Sequence, residues 1–129
     1  MRAALSMIAA LGFLFAGTTA ADAELPGDDE RVVMTAQVID LSCKVVHDLS
    51  GDGHRECAQV CADQGVPLAL LAEDGNIYHP VSMEMPSSGD EINQMLRPHA
   101  EQMVVVEGDV VERAGVNGII IQSVSPAQN

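Results

Sequence analysis

The residues able to do chemistry crowd into one stretch, Cys43-Lys-Val-Val-His47-Asp-Leu-Ser-Gly-Asp-Gly-His54-Arg-Glu-Cys57-Ala-Gln-Val-Cys61. It holds all 3 cysteines of the chain and two of its 4 histidines. Side chains three and four positions apart share one face of a helix. A helix over 54–63 therefore turns His54, Cys57 and Cys61 the same way, and Cys43 can fold back onto them from the end of the preceding strand. Three sulfurs with His54 or His47 supply the Cys3His or Cys2His2 set of a tetrahedral Zn2+ site, or a trigonal thiolate site for Cu+. The spacing differs from the paired C-x-x-C of zinc ribbons and from the C-x-x-C-H of haem attachment.

A covalent reading stands beside the metal reading. In an oxidising compartment Cys43 can pair with Cys57 or Cys61, closing a loop of about 15 residues and stabilising the fold by roughly 3 kcal/mol. One thiol is then left over. Cys57 with Cys61 is the least suitable pair, because side chains one helical turn apart seldom meet the torsion a disulfide requires. In that case the domain is a crosslinked module that binds a protein or a small ligand. A second soft-ligand group, His79 followed by Met83-Glu-Met85, suits Cu+, although methionines more often fill gaps over a core edge. His99, after Pro98, has no evident role.

Hydrolase and nucleotidase readings fail on motifs. The chain has no Gly-x-Ser-x-Gly elbow and no Gly loop followed by Lys-Ser/Thr to cradle phosphates. Thiol–disulfide exchange lacks the C-x-x-C at a helix N-terminus. The expectation is a domain without catalysis. Composition narrows the partners further: 19 Asp/Glu against 6 Lys/Arg give a net charge of −13. Binding to nucleic acid or to anionic lipid is disfavoured, because counterion release needs cations on the protein. With no Trp, one Tyr and two Phe, Phe13 and Phe15 both near the front, a base-stacking platform is also missing.

The front of the chain predicts export. Arg2 precedes an apolar run from Leu5 to Ala16 and a small-residue stretch ending Ala21-Asp22-Ala23, the pattern of a signal peptide over 1–23, cut after Ala23 or at the nearby Ala20. About a dozen apolar residues fall short of the roughly 20 that span a bilayer. The product is expected in the periplasm or outside the cell, free of the membrane after cleavage, with its thiols in an oxidising compartment. What remains, about a hundred residues, is one domain in size.

The elements that must position these residues follow from pattern. After an acidic leader over 24–30, Val32, Met34, Ala36 and Val38 alternate with polar residues up to Leu41, giving a first strand. Cys43 to Gly53 reads as a polar loop. The helix over His54–Asp63 follows, with Cys57, Val60 and Cys61 on its apolar side, and Gly65 and Pro67 stop it. Pro67–Ala72 and Asn76–His79 flank Glu73-Asp74-Gly75, and an Asp-Gly step between apolar runs marks a hairpin. Ser88 and Glu91 form a capping-box pair before the stripe Ile92, Met95, Leu96. Val104, Val106 and Val110, a turn at Ala114-Gly115, and Ile119-Ile120-Ile121 make a last hairpin, with Gly108 where the strand bends. The folded domain spans 31–124 and a polar tail 125–129. Five strands with a helix between the third and fourth predict a mainly β protein, an OB-like Greek-key barrel; the alternative is an open β-meander with two helices packed on it.

Asp40-x-x-Cys43, Gly51-x-Gly53-His54-x-x-Cys57-Ala58-x-x-Cys61-Ala62-x-x-Gly65-x-Pro67-Leu68 and Leu70-Leu71-x-x-Asp74-Gly75-x-x-Tyr78 together resemble a group of small exported bacterial proteins with OB-like folds. The likeness covers about residues 32–124. It implies an OB-like architecture and a metal or redox site built on the Cys/His motif, and brings no particular activity with it. Lys44 stands where an aromatic residue is usual in such sequences.

Overall fold

In the computed structural model, residues 30–128 are described; the signal peptide expected over 1–23 and all but the last residue of the leader lie outside them. β1 (Glu30–Asp40) has the expected alternation in its first half, and its second half is buried on both sides, with Ala36, Val38, Ile39 and Asp40 inaccessible to solvent. The reason is that this strand serves two neighbours. Glu30 to Gln37 run antiparallel to β4 (Met103–Arg113), and Ala36 to Asp40 run antiparallel to β2 (Leu68–Ala72). A strand that changes partner along its length coils the sheet toward closure.

β2 turns into β3 (Ile77–Pro80) through the Asp74-Gly75 step, where Gly75 takes φ 85° and donates to the Ala72 carbonyl at 3.0 Å. β4 turns into β5 (Val116–Pro126) through Ala114 and Gly115, both at positive φ, as a tight hairpin requires. A short parallel contact, His79 with Gly118 and Pro80 with Ile119, shuts the ring. The strand order β1-β2-β3-β5-β4 is a closed barrel. With α3 (Gly89–Leu96) between β3 and β4, the architecture is OB-like, and the open meander is set aside.

The interior is aliphatic. Ala36, Val38, Leu68, Leu70, Val104, Val106 and Ile119 meet inside the ring, joined by Ala62 from α2 (Arg55–Asp63) and Leu96 from α3. Full burial of a side chain such as Leu96 stabilises by roughly 1.5–3 kcal/mol. Gly108 sits at a bulge, where a Cβ would come within 2.7 Å of the Ile120 carbonyl oxygen. The irregularity falls where the bend was expected, and the close backbone approach there suits glycine.

Three expectations are corrected. Residues 43–53 are not wholly a loop, because Leu41–His47 form a helix, α1, making three short helices where two were expected; 3-10 turns at Asp52–His54 and Arg97–His99 add to them. α1 buries none of its residues, so it left no apolar stripe to read. On α2 the buried residues are Ala58 and Ala62, while Val60 is 56% exposed and Cys57 is exposed; small alanines rather than Val60 let this helix lie close to the barrel. β5 also runs to Pro126, paired with Val104, and so takes up the start of the segment read as a tail.

Candidate metal centre

The site begins where β1 ends. Asp40 is fully buried, and as the residue preceding α1 it accepts the Cys43 amide through Oδ1 at 2.8 Å. An aspartate in this position caps a helix by satisfying one of its free amides. The cap starts α1 at once and carries Cys43 round to face α2. There Cys61, half-buried, completes a group in which one carboxylate oxygen of Asp40 and the sulfurs of Cys43 and Cys61 all lie within 4.8 Å of one another. Of the two carboxylate oxygens of Asp40, Oδ2 is buried and has no hydrogen-bond partner.

A buried glutamate holds this arrangement from behind. Glu101 is at φ 63°, its amide bonded to the Val38 carbonyl at 2.8 Å, which aims its side chain along the end of β1. Oε2 accepts from the Gly51 amide at 2.7 Å, and Oε1 accepts from the Asp40 amide at 3.3 Å and lies 3.1 Å from His54 Nδ1. One carboxylate thus ties the strand end, the loop and the start of α2 together. The Glu101 side chain is fully buried and that of His54 is 10% exposed. With Nδ1–H directed at Glu101, His54 Nε2 is left buried without a partner. Ligand histidines are commonly held in this way, one nitrogen on a carboxylate and the other presented to the ion.

The surroundings favour the neutral thiol at Cys43 and Cys61. The Cys61 thiol is pushed up to about 12, first by its contact with the Asp40 carboxyl, then by burial and by the charge of Asp40 and the nearness of Cys57. The Cys43 thiol is pushed up by burial first and by Asp40 second. A bound cation inverts this logic, since a thiol that coordinates a metal is deprotonated.

The expected ligands are brought together only in part. Cys43 and Cys61 are in the cluster, and Cys57, one turn earlier on α2, is near enough to raise both thiols. His54 is bonded to Glu101 and is not among the clustered residues. His47 is exposed at the end of α1 and outside the cluster. His79 lies in β3, with Met83 and Met85 exposed beyond it. All three cysteines are free thiols. Two residues escaped the reading of the sequence. Asp40 carried a signal, an aspartate three residues before Cys43 at cap spacing; Glu101 carried none, because it is joined to the site only through the fold.

No family model, curated protein or solved structure matches the chain.

Proposed function

We propose that this is an exported, non-catalytic domain that binds one metal ion, Zn2+ or Cu+, through Cys43, Cys61 and Asp40, with Cys57 beside them and His54 in reserve behind. The single observation that carries the reading is the cluster of two sulfurs and a carboxylate oxygen within 4.8 Å. Two thiols and an oxygen form part of the donor set that tetrahedral sites use. The strongly acidic surface attracts cations in general, and the sulfurs select the softer ones. Export is supported by the apolar run and the small residues of 1–23. The absence of catalysis is supported by the raised thiols, which are poor nucleophiles when protonated.

A second reading has its own observation. Cys43 and Cys61 sit on different helices with their sulfurs within 4.8 Å, so a modest closure would join them. The domain would then be a crosslinked module, and its groove of about 300 Å³, lined by Val81, Met83, Ile92, Met95 and Ile121, would be the place for a protein or small ligand. Native mass spectrometry before and after alkylation separates the two readings. Retained metal, with three thiols that alkylate after chelation, supports the first. A mass lower by two hydrogens, whose electrons pass to the oxidant of the compartment, with one reactive thiol, supports the second. Unchanged metal content in a Cys43→Ser, Cys61→Ser double variant would refute the first.

A further inference from the structure

Zn2+ and Cu+ both suit sulfur ligands, and the donor set of the cluster bears on which of them this site prefers. Cu+ is satisfied by two or three sulfurs and gains little from an oxygen donor, whereas Zn2+ accepts carboxylate oxygen with thiolate in a tetrahedron. In the cluster the third donor, after the two sulfurs, is an Asp40 oxygen and not the sulfur of Cys57.

The Asp40 carboxylate is held in place. Oδ1 of Asp40 is bound to the Cys43 amide, its own amide is bound to Glu101, and the residue is inaccessible to solvent. Oδ2, buried and without a partner, is an acceptor that the fold leaves unmet, and such groups in native proteins call for an explanation, an ion among them. Charge points the same way. Two thiolates and a carboxylate sum to three negative charges, and Lys44, the cation on α1, is engaged by Asp48 at 2.6 Å. A divalent ion offsets more of that charge than a monovalent one in a half-buried setting.

Resting on the metal reading above, we infer that Asp40 is the specificity-determining ligand and that the site takes Zn2+ in preference to Cu+, with Cys57 or water in the fourth position. Binding is a simple exchange: the ion forms bonds to the two sulfurs and the carboxylate oxygen, the two S–H bonds break and two protons pass to solvent, and where Cys57 fills the fourth position its S–H bond breaks too and a third proton leaves. No electron moves.

The test uses the chain expressed from its full sequence and purified under reducing conditions, titrated with Co2+ as a spectroscopic stand-in, then with Zn2+, and separately with Cu+ against a chromophoric chelator. The wild type is expected to bind one Co2+ with intense tetrahedral and sulfur-to-metal bands that Zn2+ abolishes. Asp40→Asn keeps an oxygen able to cap α1. It is expected to lower Zn2+ affinity by about tenfold or more, on the scale seen when groups that merely support a ligand are removed, and to leave Cu+ affinity nearly unchanged. Cys57→Ser, at an exposed position that carries no fold burden, is expected to weaken Cu+ more than Zn2+. Equal losses for both ions in Asp40→Asn, an unchanged Zn2+ affinity there, or a larger Zn2+ than Cu+ loss in Cys57→Ser would overturn the inference. A wild type that holds Cu+ but not Zn2+ would overturn it while sparing the metal reading, and a wild type that holds neither would remove both.

Discussion

Replacing Glu101 with alanine removes the acceptor of three donors at once: the Gly51 amide at 2.7 Å, the Asp40 amide at 3.3 Å and His54 Nδ1 at 3.1 Å. Hydrogen bonds to carboxylates contribute roughly 1.5–3 kcal/mol each, and leaving a buried donor unmet costs about 1–3 kcal/mol. The bond to Asp40 is long, and water can enter the space left by the side chain, so the sum overstates the loss. About 3–5 kcal/mol is expected, the scale on which breaking a buried charged pair destabilises proteins. Against a total stability of about 5–15 kcal/mol, this is a large share. At roughly 4–8 °C per kcal/mol for a domain of this size, the melting temperature falls by about 15 °C or more. Urea unfolding of the metal-free, reduced protein measures it directly through the midpoint at constant slope. Glu101→Gln is expected to lose about half as much, since its amide must set an NH2 group against one of the donors while its oxygen serves the rest. Glu84→Ala, at an exposed loop position, serves as the control and is expected within about 0.5 kcal/mol of wild type. A double-mutant cycle with His54→Ala should show a coupling of roughly 0.5–3 kcal/mol. A Glu101→Ala variant less than about 1 kcal/mol below wild type, or zero coupling to His54, would refute the view that this carboxylate braces the site.

Three further outcomes are expected. In reduced, metal-free protein at mildly alkaline pH, iodoacetamide should label the exposed Cys57 first and Cys61, pushed up to about 12, at least tenfold more slowly; peptide mapping that finds equal rates would contradict the burial and the Asp40 contact. Gly108→Ala should destabilise by about 1–3 kcal/mol, because the added methyl meets the Ile120 carbonyl at 2.7 Å and Ile119 Cγ1 at 2.9 Å; an unchanged urea midpoint would show that β5 can move away. The Arg97 guanidinium, through its hydrogen bond, holds the Asp63 carboxyl below its ordinary 3.8. A depressed folded value gives stability that is complete above the ordinary value and is lost as pH falls below it. The difference between wild type and Arg97→Gln should therefore be present at about pH 6, shrink toward zero by about pH 2, and be small and salt-sensitive because the pair is exposed. A difference that grows on acidification would reverse the sign of the argument.

How much was legible divides along the range of the interactions. The alternation in β1 and β4, the Asp74-Gly75 hairpin, the Ser88 oxygen that accepts the Glu91 amide at 3.3 Å and an irregular strand at Gly108 are readable because each is settled among residues a few positions apart or by one face against one core. The grouping of the cysteines was legible to the same extent: helical spacing carries Cys57 and Cys61 on α2, and a strand end delivers Cys43. α1 was not legible, because its evidence is an N-cap and a C-terminal ion pair rather than a buried stripe, and Val45 and Val46 are exposed. The place of Asp40 beside the two sulfurs, Glu101 as its brace and the position of His47 outside the cluster belong to tertiary structure. They depend on the ring closing so that the end of β1 meets both α2 and the turn before β4, and on the left-handed backbone of Glu101, which turns a carboxylate inward there. Local patterns determine which residues a helix or strand presents; only closure of the barrel determines which of those presented groups come to share one small volume out of water.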